Sequence, residues 1–185
     1  MKKYWLLISL LYLHLNVSAQ YENKGVIIED RLLTWDDFKG RNESNYFTAQ
    51  TSTAIQLTPK QVNFADPIPD YKAVCYFLPK ESTVNSAFLR DEPDSIKDHV
   101  LKHEQGHYFL ARVATAEINT IFKDFEFNQR RSIFQADSIY RSIYARLRNT
   151  QVKYDTESNH SQNYPEQAKW DAIIEDALKT GKLPE

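Results

Sequence analysis

The segment DSIKDHVLKHEQGHYFLARVATAEINTIFKDF, residues 94–125, has the clearest periodicity in the chain. Its apolar residues and two of its histidines recur at intervals of three and four, which is the repeat of an α-helix with one buried face. Asp94 or Ser95 can cap the start of such a helix. We therefore predict one long amphipathic helix over about 95–125, whose buried stripe is Ile96, Val100, His103, His107, Ala111, Ala114, Ile118, Ile121 and Phe125.

This helix contains the pattern H-E-x-x-H at residues 103–107. His103 and His107 lie about 6 Å apart along the helix axis and on the same face, so both imidazoles can reach one metal ion. Glu104 is then placed to act on a water bound to that metal. The pattern predicts one catalytic zinc ion, with His103 and His107 as ligands and Glu104 as the general base. The lack of a side chain at Gly106 would permit close approach of a neighbouring element.

A catalytic zinc normally takes three protein ligands and keeps one position open. His99 continues the series of histidines, but the three would span roughly 12 Å of helix with His103 in the middle. His99 and His107 therefore cannot both bind one ion, and His99 is interpreted as a residue of the helix face. Glu117 is also too far, about 15 Å along the helix from His107. The third ligand has to come from another element.

The polar segment 154–160, YDTESNH, lies in the predicted link between two later helices and offers such ligands. His160 is the preferred third ligand, and Asp155 or Glu157 is the alternative. Any of the three that does not bind the metal can orient a ligand histidine instead, because ligating histidines usually donate their second N–H to a nearby acceptor.

The segments on either side of the long helix differ in kind. Before it, 26–33, 47–57, 73–78 and 83–89 have the alternation or the β-branched composition of strands, the last most weakly. After it, 129–152 and 165–180 have helical periodicity, and Pro165 and Gly181 suit the start and the end of the last helix. We predict an α+β fold with an N-terminal antiparallel sheet of about three to four strands packed on the H-E-x-x-H helix, followed by two further helices.

The first residues have the features of a secretory signal peptide. Lys2 and Lys3 precede the apolar run 4–15, and V-S-A at 17–19 suits a signal peptidase. We predict a signal peptide over residues 1–19, cleavage between Ala19 and Gln20, and a secreted or periplasmic protein with no stable membrane span after cleavage. The alternative is an uncleaved anchor, although the apolar run is shorter than the roughly 20 residues that a span needs.

Composition restricts the classes of partner. Residues 20–185 suffice for a single domain, the formal net charge is −2, and no basic tract is present, which argues against nucleic acid as a partner. Cys75 is the only cysteine, so no intramolecular disulfide can form. Export without disulfides fits the bacterial envelope, and the apolar neighbours of Cys75 indicate a core residue.

Three segments together resemble an uncharacterised bacterial family of predicted secreted zinc-dependent proteases. The likeness is carried by 33–40 (LTWDDFKG), by 101–108 (LKHEQGHY), and by Tyr154 and Asp155 with His160, Gln167 and Trp170. Ser158 and Ser161 depart from the family pattern, which has threonine and glycine there. The resemblance implies a zincin-like peptidase domain but supplies no substrate.

These observations predict an exported zinc metallopeptidase that acts on a protein or peptide substrate, with Glu104 as the general base. Two alternatives stay open: a catalytically silent zinc-binding scaffold or binding protein of the envelope, and an amidase that acts on cell-wall material. Tyr108, Tyr154 and Tyr164 each offer a hydroxyl that could stabilise an oxyanion, and no spacing argument selects one. The sequence carries no prediction of the oligomeric state.

Overall fold

The order of elements is that of an α+β fold, as predicted. The computed structural model describes residues 25–42, 48–59 and 71–184, so the predicted signal peptide and Phe47 lie outside the described residues. The strands are β1 Gly40–Asn42, β2 Ala49–Gln50, β3 Thr53–Pro59, β4 Tyr71–Phe77 and β5 Thr83–Asn85. The helices are α1 Ser86–Asp91, α2 Asp94–Asp124, α3 Ser132–Ser158 and α4 Tyr164–Thr180, and a 3-10 turn spans Trp35–Asp37.

The described strands form two small sheets rather than the single antiparallel sheet of three to four strands that the sequence suggested. β3 and β4 pair antiparallel along their full length, from Thr53 opposite Phe77 to Pro59 opposite Tyr71. β5 lies between β1, to which it is parallel, and β2, to which it is antiparallel. Alternation along one strand predicts which side is buried but carries no information about its partners, and for this reason the sheet prediction was wrong.

The segment 26–33, predicted as a strand, is also different. Only Val26 makes a β-bridge, with Phe77. After Val26, the backbone of this segment forms hydrogen bonds with side chains of α2 instead of with another strand. Ile28 N–H donates to Tyr108 Oη over 3.1 Å, and Leu33 N–H donates to Gln105 Oε1 over 2.6 Å. The segment therefore runs along α2 as extended chain, with its backbone polar groups satisfied by that helix.

Helix α2 is the centre of the molecule and confirms the prediction for 95–125. Its apolar face packs against β4 on one side and against α3 and α4 on the other. Asn119 fixes it to the sheet, because its side chain accepts from Ala73 N–H over 2.8 Å and donates to Ala73 C=O over 3.0 Å. Asp94 in the first turn and Lys123 in the last complement the helix dipole.

Local capping explains where the other helices begin and end. The Asn85 side chain accepts from Ala87 N–H and Phe88 N–H, so β5 ends there and α1 begins, where the sequence had suggested a strand up to residue 89. The Asn163 side chain caps α4, and Gly181 ends it with a φ of 67°, close to the bounds predicted for that helix. α3 continues to Ser158, six residues beyond the predicted end.

Cys75 is buried on β4, as predicted, and burial raises the pKa of its thiol to about 12. It is therefore a core residue and not a nucleophile. Among the described residues, no helix combines the length and the apolar character that crossing a bilayer requires.

Candidate metal centre

The two histidines of α2 converge as predicted. Both are buried, and the Nε2 atoms of His103 and His107 lie 3.3 Å apart. Their rings are nearly perpendicular, at 89°. One turn of helix is enough to produce this arrangement, because residues four apart are stacked on one face.

Asp155 of α3 completes the cluster. Its Oδ1 lies 3.2 Å from His103 Nε2 and 2.9 Å from His107 Nε2. In the part of the chain that the structure describes, these three residues form the one group of His, Cys, Asp or Glu whose ligand atoms all lie within 4.8 Å of one another. Two nitrogens and one carboxylate oxygen are a donor set that zinc accepts. Ligands bound tetrahedrally at about 2.0 Å are themselves about 3.3 Å apart, so the three measured separations fit zinc.

The charges of the cluster are coupled. Burial acts to raise the pKa of Asp155, but its hydrogen bonds to His103 and His107 outweigh burial and hold that pKa well below its usual range. Burial likewise acts to lower the pKa of His107, yet the hydrogen bond to Asp155 and the charge of Glu104 leave the pKa of His107 raised. Asp155 is therefore an anion, and a cation is favoured between it and the two imidazoles.

Glu104 is buried beside His103, with 4% of its surface exposed. Its backbone carbonyl accepts a hydrogen bond from Thr51 Oγ1 over 3.1 Å. Among the described residues its Oε2 has no hydrogen-bond partner. A buried carboxylate oxygen without a partner is costly, and such atoms are characteristic of sites that hold an ion, a water or a reacting group.

The segment 154–160 is not the loop that the sequence suggested. Residues up to Ser158 form the last turns of α3, and Asn159, His160 and Ser161 all have positive φ values in the turn that follows. Ser158 Oγ donates to Tyr154 C=O over 2.7 Å and supports the final turn. The third residue of the cluster is therefore delivered by a helix.

The structure separates the three candidates for the third ligand. Asp155, the alternative in the sequence reading, lies in the cluster. His160, the first choice, is outside it: its side chain is 56% exposed and its Nδ1 lies 3.7 Å from Asp155 Oδ1. Glu157 is turned away, because its Oε2 accepts from Trp170 Nε1 over 2.8 Å. His160 thus borders the site and Glu157 does not belong to it.

His99 and Glu117 have other contacts, as their spacing predicted. His99 Nε2 lies 2.7 Å from Ser161 C=O, and its ring stacks on Tyr164 at 3.9 Å, so it holds the turn after α3. Glu117 pairs with Arg146 over 2.6 Å. Neither side chain is directed at the cluster.

Two glutamines contact the outer nitrogens of the histidines. His103 Nδ1 lies 2.9 Å from Gln167 Oε1, and His107 Nδ1 contacts Gln151 Oε1. Gln167 is part of the family-like pattern, but its role was not assigned, and Gln151 was missed altogether. The only available signal was the position of Gln151, four residues before Asp155 and therefore on the same face of α3.

Two of the three candidate tyrosine hydroxyls are already engaged. Tyr154 Oη donates to His103 C=O over 3.1 Å, and Tyr108 Oη donates to Ile28 C=O over 3.0 Å. Both rings are almost fully buried, whereas Tyr164 is half exposed and stacks on His99. Tyr154 therefore supports the ligand helix rather than offering its proton to a substrate.

Comparison with known proteins defines a family but no activity. Neither the curated proteins nor the solved structures include a match to this chain. The model of the family described as "Bacterial protein of unknown function (DUF922)" matches residues 33–161, which is more than half of the chain and includes His103, Glu104, His107 and Asp155. This chain therefore belongs to that bacterial family, whose function is unknown.

Proposed function

We propose that this chain is an exported zinc-dependent hydrolase that cleaves peptide bonds, with His103, His107 and Asp155 as metal ligands. The observation that carries the proposal is the convergence of these three ligand atoms beside the buried carboxylate of Glu104. A structural zinc site usually takes four protein ligands, whereas three leave one coordination position for water or substrate. The donor count thus favours a catalytic site.

When bound, zinc supplies Lewis-acid chemistry: it polarises a carbonyl group and lowers the pKa of a water molecule towards about 7. The chain supplies the proton transfer. Glu104 takes the proton of the attacking water on its carboxylate and delivers it to the leaving amine nitrogen. Burial suits this role, because a carboxylate surrounded by protein transfers a proton over a short fixed distance without competing solvent.

Peptides are the proposed substrates for two reasons. The H-E-x-x-H pattern on a helix is the working part of zinc peptidases, and the resemblance described above is to predicted secreted proteases. The signal-like segment 1–19 supports export, and cell fractionation with an antibody against the mature chain tests the proposed periplasmic or secreted location. Protein in the cytoplasmic fraction alone would contradict that part of the proposal.

The central experiment compares the native protein with Glu104→Gln. We expect about one zinc ion per chain in both, measured by mass spectrometry of the metal. Cleavage of a peptide library should occur in the native protein, stop when a chelator is added, and fall by at least about 100-fold in Glu104→Gln, because a general base contributes 10²–10⁴-fold. Glu157→Gln is the matched control, since it lies outside the cluster.

The alternatives make different predictions in the same assay. Zinc binding with no cleavage of either peptides or cell-wall fragments would favour a silent envelope scaffold. Cleavage of cell-wall amides alone would favour an amidase. The zinc content of two variants tests the assignment of the third ligand. Asp155→Ala should lose zinc and His160→Ala should retain it. The reverse result would restore His160 as the third ligand.

A further inference from the structure

A chain of hydrogen bonds runs from His103 on α2 through Gln167 and Asp171 on α4 and returns to Lys102 on α2. Gln167 Oε1 lies 2.9 Å from His103 Nδ1, while Gln167 Nε2 donates to Tyr154 Oη over 2.7 Å and to Asp171 Oδ1 over 2.8 Å. Asp171 Oδ2 in turn lies 2.5 Å from Lys102 Nζ. Gln167 is almost fully buried, so its own hydrogen bonds are made inside the protein, whereas Lys102, at the end of the series, is exposed.

The partners of Gln167 determine which way its amide faces. A side-chain amide has one acceptor end and one donor end with two hydrogens. The Asp171 carboxylate can only accept, and Tyr154 Oη has its proton directed to His103 C=O, so both present lone pairs to Gln167. Reversing the amide would set oxygen against oxygen at both contacts. Its oxygen therefore faces His103.

The orientation of the amide determines the protonation pattern of His103. An amide oxygen accepts a hydrogen bond, so the hydrogen of His103 is on Nδ1. A neutral imidazole with its hydrogen on Nδ1 carries its lone pair on Nε2. Nε2 is the atom that faces Asp155 Oδ1 and His107 Nε2, at the centre of the cluster.

We infer that Asp171, acting through Gln167, is a positioning residue that keeps His103 in the tautomer whose Nε2 lone pair faces the metal. The inference rests on the proposed function in that it takes Nε2 to be the zinc-binding atom. Lys102 supports the arrangement by pairing with the second oxygen of Asp171, which keeps the first oxygen directed at Gln167.

His107 lacks an equivalent arrangement and provides an internal comparison. Its Nδ1 contacts Gln151 Oε1, but Gln151 Nε2 donates to His107 C=O over a long 3.4 Å. Neither a carboxylate nor a tyrosine fixes that amide among the contacts described. A change at Asp171 should therefore alter His103 and leave His107 as it was.

The test is nitrogen NMR of the metal-free protein with ¹⁵N-labelled histidine at alkaline pH, in an Asp155→Ala background. This background is needed because the Asp155 carboxylate lies 3.2 Å from His103 Nε2 and would itself attract the hydrogen to that atom. The Asp155→Ala protein should show His103 protonated at Nδ1. Adding Asp171→Asn should produce a mixture of both tautomers at His103, because the asparagine oxygen is drawn to the Lys102 ammonium and its NH2 group, which cannot accept, then faces Gln167. Glu175→Gln, one turn further along α4 and paired only with exposed Lys179, is the charge-matched control.

Zinc affinity, measured by chelator competition, is the second readout. Removing such a supporting contact weakens metal binding by about 10-fold or more, so we expect that loss in Asp171→Asn and none in Glu175→Gln. In a Gln167→Leu background, Asp171→Asn should have no further effect on either readout, because the contact that transmits it is gone.

Two results would overturn the inference. One is an Asp155→Ala protein in which His103 carries its hydrogen on Nε2. The other is a folded protein with Asp171→Asn added to that background in which the His103 tautomer is unchanged. Absence of zinc binding by the native protein would instead overturn the proposed function, and the tautomer would still decide the role of Asp171.

Discussion

Gly106, inside the H-E-x-x-H pattern, shows how one residue sets the distance between two helices. Its Cα faces the ring of Tyr154 on α3, and a Cβ built there would lie 2.5 Å from Tyr154 Oη and 2.9 Å from Cζ. Tyr154 is fully buried, and its hydroxyl bonds both His103 C=O and Gln167. Glycine thus permits the close approach that the sequence had suggested.

Gly106→Ala should therefore destabilise the protein. Alanine is the better helix former by about 1 kcal/mol, but overpacking against a fixed ring costs about 1–3 kcal/mol. We expect the free energy of unfolding in urea to fall and zinc affinity to weaken, because Tyr154 must move away from His103. Ala116→Gly, on the exposed side of α2, is the control for helix propensity alone. A Gly106→Ala protein more stable than the native one would contradict this account.

At the scale of elements, the length of α3 decides the composition of the site. The buried stripe of this helix runs through Ile143, Leu147, Thr150, Tyr154 and Ser158 at intervals of three and four. Because its last members are polar or small, the pattern resembled a loop in the sequence. The continued helix carries Asp155 to the histidines, and the turn at 159–161 then reverses the chain into α4.

The backbone of this turn supports a second prediction, on stability. His160 has a φ of 49°, a conformation that is unfavourable by about 1–2 kcal/mol for residues with a Cβ. His160→Gly and His160→Ala both delete the imidazole, but only glycine adopts this φ without cost. We expect the glycine variant to be more stable by about 1 kcal/mol in urea unfolding. Equal stability of the two would show that the turn rearranges in the variants.

At the scale of the whole molecule, the candidate site joins separate layers of the fold. α2 contributes His103 and His107, α3 contributes Asp155, and α4 supports the site from behind through Gln167. A metal held by these residues would connect two helices through side chains that lie about 50 residues apart in the sequence. Because an unfolded chain holds no such arrangement, metal binding should stabilise the native state.

We therefore predict that zinc raises the thermal midpoint. A ligand at 100 times its Kd contributes about 2.7 kcal/mol, which corresponds to roughly 5–10 °C for a chain of this length. Calorimetry should show the increase for the native protein and for Glu157→Gln, in which an amide oxygen can still accept from Trp170. Asp155→Asn should show little increase, and magnesium should not replace zinc. An equal increase for Asp155→Asn would exclude Asp155 as a ligand.

How much of the structure could be predicted from the sequence depends on how far apart in the chain the interacting residues lie. Helix α2 depends on residues three and four apart, so its bounds, the central part of its buried face and the approach of His103 to His107 were readable from the sequence, although Phe125, at the end of the predicted stripe, is exposed. The burial of Cys75, the course of α4 and the exclusion of His99 and Glu117 depend on the same short-range geometry. These features needed no knowledge of which elements pack together.

Only the tertiary structure decided the rest. Contacts between residues far apart in the chain determine the pairing of strands into two small sheets and the hydrogen bonds from the backbone of 26–33 to side chains of α2. They also determine the position of Asp155, rather than His160, beside the two histidines. Local patterns carry little information about such contacts, because many partners satisfy the same alternation. The sequence alone determined a helix that presents two histidines and a glutamate, and packing of α3 and α4 against it decided which side chains complete the site.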